Sequence, residues 1–189
     1  MGFITIDHPI ARASFDLLLG SESGNACFSH WQGTEKKALI MEALFILEPI
    51  APTHLHMDRF MPPTPIRVAI DHQKNDLSTD PALLKLMVQS GNIRQLMKIP
   101  TLKQETIPEM KQQVTELATT KIAAIQKKAQ AAVEQALPKE IQRLEELALR
   151  NNLVREQEIE QLRSQYQHIS KAITHSRLRL DAMHLIWKE

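Results

Sequence analysis

An α+β fold is predicted from three observations. Short apolar runs broken by prolines and polar turns fill the first 80 residues; apolar residues then recur every three or four positions over 109–173; a two-residue repeat returns at 178–187. Together they predict an antiparallel sheet with an N-terminal helix, a long C-terminal helical hairpin, and a last strand returning to the sheet. The expected divisions are 1–80 for the helix and β platform, 81–177 for the helical arm and 178–189 for the closing strand, all in one integrated domain.

Taken in order, the N-terminal helix is expected to start near Pro9, where a missing N–H costs nothing, and to stop at Gly20. Ile10, Ala13, Leu17 and Leu18 lie on one side of it. Ser21-Glu22-Ser23-Gly24-Asn25 reads as a turn, 26–31 as a short strand, and Gly33 as the centre of another turn. The apolar run at 38–47 does not distinguish strand from helix by period alone; Pro49 and the neighbouring strand signals favour a strand buried on both faces. Residues 54–60 alternate, with Leu55, Met57 and, continuing the alternation, Arg59 on one face and His54, His56 and Asp58 on the other, and are expected to be a strand. Next, Met61-Pro62-Pro63-Thr64-Pro65 removes three backbone donors and holds the chain extended, a stiff connector into a strand at 66–71. The short links between these runs favour antiparallel connections.

Beyond Asp80-Pro81, Leu83, Leu84, Met87 and Val88 suggest a short helix stopping at Gly91, with 89–108 irregular. A helix is predicted over 109–137, about 40 Å long. Pro138 either kinks it or opens a new helix ending near Asn151-Asn152. Ile159, Leu162, Tyr166, Ile169 and Ile173 then form a coiled-coil-like seam. Burying five such side chains gains roughly 10 kcal/mol at most, at about 1.5–3 each. Ordering some twenty residues costs about 1–2 kcal/mol each in backbone entropy before hydrogen bonds offset part of it. The seam therefore needs a partner surface, and the 109–137 helix is the simplest one.

Composition narrows the function classes. Hydrophobic residues are 43% of the chain and charged ones 24%, enough to bury a core. The net charge of +1 lacks the basic excess usual in a dedicated DNA-binding domain, and leaves room only for a local basic face. A single cysteine, Cys27, excludes an internal disulfide framework and fits a reducing cytoplasm. No apolar run reaches transmembrane length, so no membrane partner is expected.

Chemistry-bearing motifs are sparse. No Gly-x-x-x-x-Gly-Lys-Ser/Thr sequence is present, and Gly20-Ser21-Glu22-Ser23-Gly24 has no lysine to hold a phosphate. No catalytic, cofactor-binding or metal residue is assigned. His54 and His56 share a predicted face, but no nearby residues complete a ligand set, and a polar surface explains them. His168 and His175 flank the seam as surface residues. Ser14, Asp16 and His8 are triad residue types without a nucleophile elbow. Phe60 is expected in the core beside a structural proline connector, in preference to a proline-rich docking motif. Lys171, Arg177 and Arg179 form a basic cluster: either a solvated face or a contact for nucleic acid or an acidic protein surface.

The order Met41-Glu42-Ala43-Leu44-Phe45-Ile46-Leu47-Glu48, Ala51-Pro52, Arg59-Phe60-Met61-Pro62-Pro63-Thr64-Pro65-Ile66-Arg67-Val68, then Asn75-Asp76-Leu77, resembles the C-terminal region of the RapA family. These are bacterial RNA polymerase-associated ATPases of the Swi/Snf class. His8-Pro9 leading into Phe15-Asp16-Leu17-Leu18, and the ending Leu178-Arg179-Leu180-Asp181-Ala182-Met183-His184-Leu185-Ile186, extend the similarity across nearly the whole chain. The resemblance implies a segment of a longer parent, an ATP-dependent helicase-like translocase that moves on DNA and helps polymerase recycle. ATP and magnesium would bind upstream in that parent, with no cofactor and no catalysis in this segment. The implied role is an interaction and regulatory domain whose partners are RNA polymerase and the parent's own ATPase core, with DNA reached through the parent, in the cytoplasm, as a monomer or weak dimer. Set against it is a free-standing coiled-coil scaffold that dimerises through its arm.

Overall fold

The computed structural model describes residues 25–31, 38–84, 88–151 and 153–188. The expected N-terminal helix, the turns at 21–25 and around Gly33, and the Ser14, Asp16, His8 grouping lie outside the described residues, apart from Asn25. Among the described residues, five strands form one sheet: β1 Asn25–Trp31, β2 Ala38–Glu48, β3 Thr64–Asp71, β4 Gln89–Ser90 and β5 Arg177–Lys188. Their order is β3-β2-β5-β1-β4. Four helices accompany them: two one-turn pieces, α1 Pro81–Leu84 and α2 Ile93–Leu96, and the long α3 Ile107–Ala148 and α4 Glu156–Thr174.

The last strand returns to the sheet as expected, and it takes a central place. β5 pairs antiparallel with β2 and parallel with β1, so the sheet is mixed where wholly antiparallel pairing was expected. The physical reason is that β5 arrives from the end of α4 and crosses to the sheet from outside the local hairpins, a connection long enough to permit a parallel neighbour.

Alternation builds the core. In β2, Leu39, Met41, Ala43, Phe45 and Leu47 are buried on the helix side with Ile66, Val68 and Ile70 of β3. In β5 the register shifts: Leu44 lies opposite Ala182, but Phe45 lies opposite Leu180, leaving Asp181 as an extra residue. This bulge resets the two-residue parity. Leu178 and Leu180 before it, and Met183, Leu185 and Trp187 after it, all join the same apolar cluster. On the second face Ile40, Ala69 and Ile186 of the sheet form a smaller buried cluster with Leu83, while Glu42, Leu44 and Ile46 are half-buried, so among the described residues β2 is not buried evenly on both sides.

Two corrections concern the links. Residues 54–60 are not a strand but two 3-10 turns, Thr53–Leu55 and Met57–Arg59, joined at His56 with φ 48°. That left-handed residue breaks the extended path, yet Leu55, Met57 and Met61 are still buried. Gly91 does not end a helix. It follows β4 with its N–H donating to the Phe28 carbonyl, and a Cβ there would lie 2.4 Å from the Phe28 ring. Only glycine lets the chain pass so close to that ring.

α3 runs through Pro138, which is exposed within the helix, giving one element of 42 residues, about 63 Å long. A π-helical turn, Leu102–Thr106, precedes it. Its buried residues step mostly by four: Met110, Val114, Ala118, then Ala129, Val133, Leu137. Each such step overshoots a 3.6-residue turn by about 40°, so the stripe winds around the helix. The first part lies against the sheet, tied to β3 and the turn after it by the Lys74–Glu109 ion pair at 3.3 Å and by Lys121 Nζ donating to the Arg67 carbonyl. The second part meets α4.

α3 and α4 form the expected hairpin. Gln126 Nε2 donates to the carbonyls of Ile173 and Thr174 and to Ser176 Oγ, satisfying groups that the end of α4 leaves open. Gln130 reaches Ser170, and Arg163 donates to Glu145 at 2.6 Å, so the register is antiparallel. Ile159, Ile169 and Ile173 are buried, and Leu162 and Tyr166 pack on the core. The seam that suggested a coiled coil is thus occupied within the chain itself.

Candidate functional site

Three places concentrate chemistry: the second face of the sheet, the base of α4, and the tip of the hairpin. On the second face, register aligns Cys27 of β1 with His184 of β5, and His184 with Glu42 of β2. Glu42 ion-pairs with Arg67 of β3, whose Nη1 also donates to the Ser78 carbonyl at 2.9 Å. Arg67 Nη2 is buried without a hydrogen-bond partner among the described residues. His184 Nδ1 lies 3.6 Å from Glu42 Oε2, and its Nε2 lies 2.9 Å from Ser29 Oγ. His184 and Arg67 hold the Glu42 carboxyl below its ordinary value, against the opposing effect of burial. A groove of about 340 Å³ opens in front of this row, walled by Leu44, Ala182 and Met183.

Serine, histidine and glutamate in line have the residue types of a hydrolase relay, but the backbone does not complete one. Ser29 is paired with Ser90 on one side and Ile186 on the other, in the middle of a strand. Among the described residues its neighbourhood has no strand-to-helix turn of the kind that exposes a nucleophile and aims free N–H groups at an oxyanion. Burial and the nearby Glu42 charge push the Cys27 thiol up, away from the reactive thiolate. The row ties four strands together through side chains. Sequence reading missed it because its members are scattered; the available signal was Glu42, a lone charge inside the apolar run of β2.

The predicted basic cluster is divided by the fold. Arg177 Nη2 donates to Glu48 at 2.8 Å, and Arg179 donates to Asp181 at 2.8 Å with its Nε 3.7 Å from Glu48. Lys171, exposed on α4, has no ion-pair partner among the described residues. His54 and His56 sit in the 3-10 turns, and among the described residues no group of three His, Cys, Asp or Glu is placed to hold a metal ion. Phe60 packs against the core as expected, with the Arg59 guanidinium 5.0 Å from its ring centre.

At the hairpin's far end, Leu149 and Leu153 are 88% and 83% exposed. This turn stands about 33 Å beyond the Gln126 contacts at the hairpin's base, at 1.5 Å per residue. Among the described residues, no helix is long and apolar enough to cross a membrane.

The model for the C-terminal part of the RNA polymerase recycling family matches residues 1–188. Curated relatives include proteins described as RNA polymerase-associated protein RapA from Pectobacterium atrosepticum, Proteus mirabilis and Pectobacterium carotovorum subsp. carotovorum. Each is 28% identical over 188 residues, covering 97% of this chain and 19% of the relative. The chain therefore spans about a fifth of their length.

Proposed function

We propose, from the premise that this chain belongs to the RNA polymerase recycling family as its C-terminal region, that it is a docking and positioning domain of a polymerase-associated, ATP-dependent DNA translocase. The sheet serves as a rigid base, and the hairpin carries a contact to RNA polymerase or to the parent's ATPase core. The observation that carries this reading is the pair of leucines, Leu149 and Leu153, held almost fully in solvent at the end of a long braced arm. An apolar tip that the fold leaves uncovered fits a surface completed by a partner. ATP and magnesium chemistry is assigned to the parent's motor, and this chain is read as non-catalytic, working in the cytoplasm.

The test is binding of the chain to purified RNA polymerase and to a separately produced ATPase core of a relative. Wild-type chain binds at least one of them, and the Leu149→Asp, Leu153→Asp double variant weakens that binding at least tenfold while keeping its unfolding midpoint. No measurable affinity for either partner would sink the proposal. Substantial ATP hydrolysis by the chain in the presence of DNA would overturn the non-catalytic assignment. The alternative scaffold reading loses support because α3 already occupies the seam; sedimentation as an obligate dimer at micromolar concentration would restore it.

A further inference from the structure

At the base of α4, away from the leucine tip, the chain after β2 runs beside the helix. Ile50, Pro52 and Leu55 face His168, Lys171 and His175 across an open groove of about 200 Å³. We propose that this groove docks an acidic peptide segment of a partner protein that carries an apolar anchor residue.

Its floor is apolar: Leu55 and Ala172 are nearly buried, while Ile50 is 64% exposed at the edge. Its helical wall is polar and carries the charge of Lys171. His168, Lys171 and His175 are spaced by three and four residues and so share one face of α4. Both imidazoles are held by their own helix: His168 Nδ1 lies 2.7 Å from the Ser164 carbonyl and His175 Nδ1 2.9 Å from the Lys171 carbonyl. Each Nδ1–H donates one turn back, which leaves both Nε2 atoms as acceptors for an N–H of an outside chain. Lys171, between the two histidines in sequence, has no ion-pair partner among the described residues. Glu48, the carboxylate at the adjoining end of β2, is already engaged by Arg177 and Arg179.

The charge and shape favour a peptide over nucleic acid. Phosphate-backbone affinity grows with the number of unpaired cations available to neutralise it. Here two of the three cations, Arg177 and Arg179, are neutralised internally. Among the described residues, no Phe, Tyr or Trp lines the groove to stack a base. One unpaired ammonium over an aliphatic floor matches a carboxylate beside a leucine-sized side chain, and the two Nε2 acceptors suit the backbone N–H groups of the same peptide. This surface is separate from the tip, and it stands whether or not the tip binds polymerase.

The test uses the whole chain and a random dodecapeptide display library, selected on wild type and counter-selected on the Lys171→Glu, Ile50→Asp double variant. Enriched peptides are expected to place Asp or Glu next to Leu, Ile, Met or Phe. A synthetic peptide of the leading sequence should bind at least tenfold more weakly to Lys171→Gln and to Ile50→Ser, both exposed positions, with unchanged urea midpoints. Enrichment that the double variant does not abolish, peptides without acidic residues, or no enrichment would overturn the proposal. So would a single-stranded DNA oligonucleotide whose binding showed the same Lys171 dependence, since that would assign the groove to nucleic acid.

Discussion

Leu47 in β2 is fully buried, whereas Leu149 and Leu153 at the turn between α3 and α4 are 88% and 83% exposed. The same side chain does opposite things at the two ends of the molecule. Around the sheet, leucines and methionines are sealed by α3 and the connector before β3, and their burial supplies folding stability. Beyond Leu137, α3 has no buried residue and in this outer part only Ile159 of α4 is buried, so the outer arm rests on a thin seam, on helix propensity and on links such as Arg163–Glu145. Stability is concentrated at the base, and the outer arm is left to make contacts. Each of the following substitutions would break or sharpen that contrast.

The largest effect is expected in the base. Leu47→Ala should destabilise by about 2–5 kcal/mol through lost burial plus a cavity; urea unfolding monitored by circular dichroism reads it, and a loss below about 1 kcal/mol would contradict the assigned division. Gly91→Ala should cost about 1–3 kcal/mol, because the added methyl meets the Phe28 ring. In the arm the sign reverses. Pro138→Ala restores an N–H inside an exposed stretch of α3 and should stabilise by about 1–2 kcal/mol, part of the roughly 3 kcal/mol that proline costs in a helix interior. If polymerase binding fell in that variant while stability rose, the proline would be serving the arm's shape.

The Glu42 carboxyl gives a pH-dependent comparison. Its folded value lies below its ordinary value near 4.5, so its contribution is fully present above that pH and is lost as pH falls through the lower folded value. Unfolding free energy should therefore drop as pH falls below 4.5, and Glu42→Gln should flatten that slope while lowering stability at neutral pH by leaving Arg67 short of a partner. Equal slopes in both proteins would remove Glu42 from the account. The smallest stability change belongs to the tip: Leu149→Ser with Leu153→Ser should alter unfolding by less than about 0.5 kcal/mol each, with its effect confined to partner binding.

Local pattern reveals much of this fold. The β2 run, the strand after the proline connector, the α3 and α4 repeats and the closing strand follow from spacing and from proline chemistry. What failed depended on distant partners or on a single dihedral. The alternation at 54–60 reported burial correctly, since Leu55 and Met57 are inside, but nothing in it revealed the left-handed turn at His56. Gly91 read as a helix stop because the Phe28 ring lies some sixty residues earlier in the chain. The basic cluster looked continuous at 171–179, yet Glu48, 129 residues from Arg177, neutralises part of it. Ser29 and His184, 155 positions apart, meet only when β5 inserts beside β1.

That insertion also sets the order of events during synthesis. β2 and β3 can pair as soon as both have left the ribosome, but β1 and β2 acquire their shared neighbour only after the whole arm has been made. Until then the nascent platform carries two open edges, and its final closure joins residues of very high sequence separation, the slowest kind of contact to form. Refolding should accordingly be limited by capture of β5, and an arm that folds early would shorten the search by delivering that strand to its slot.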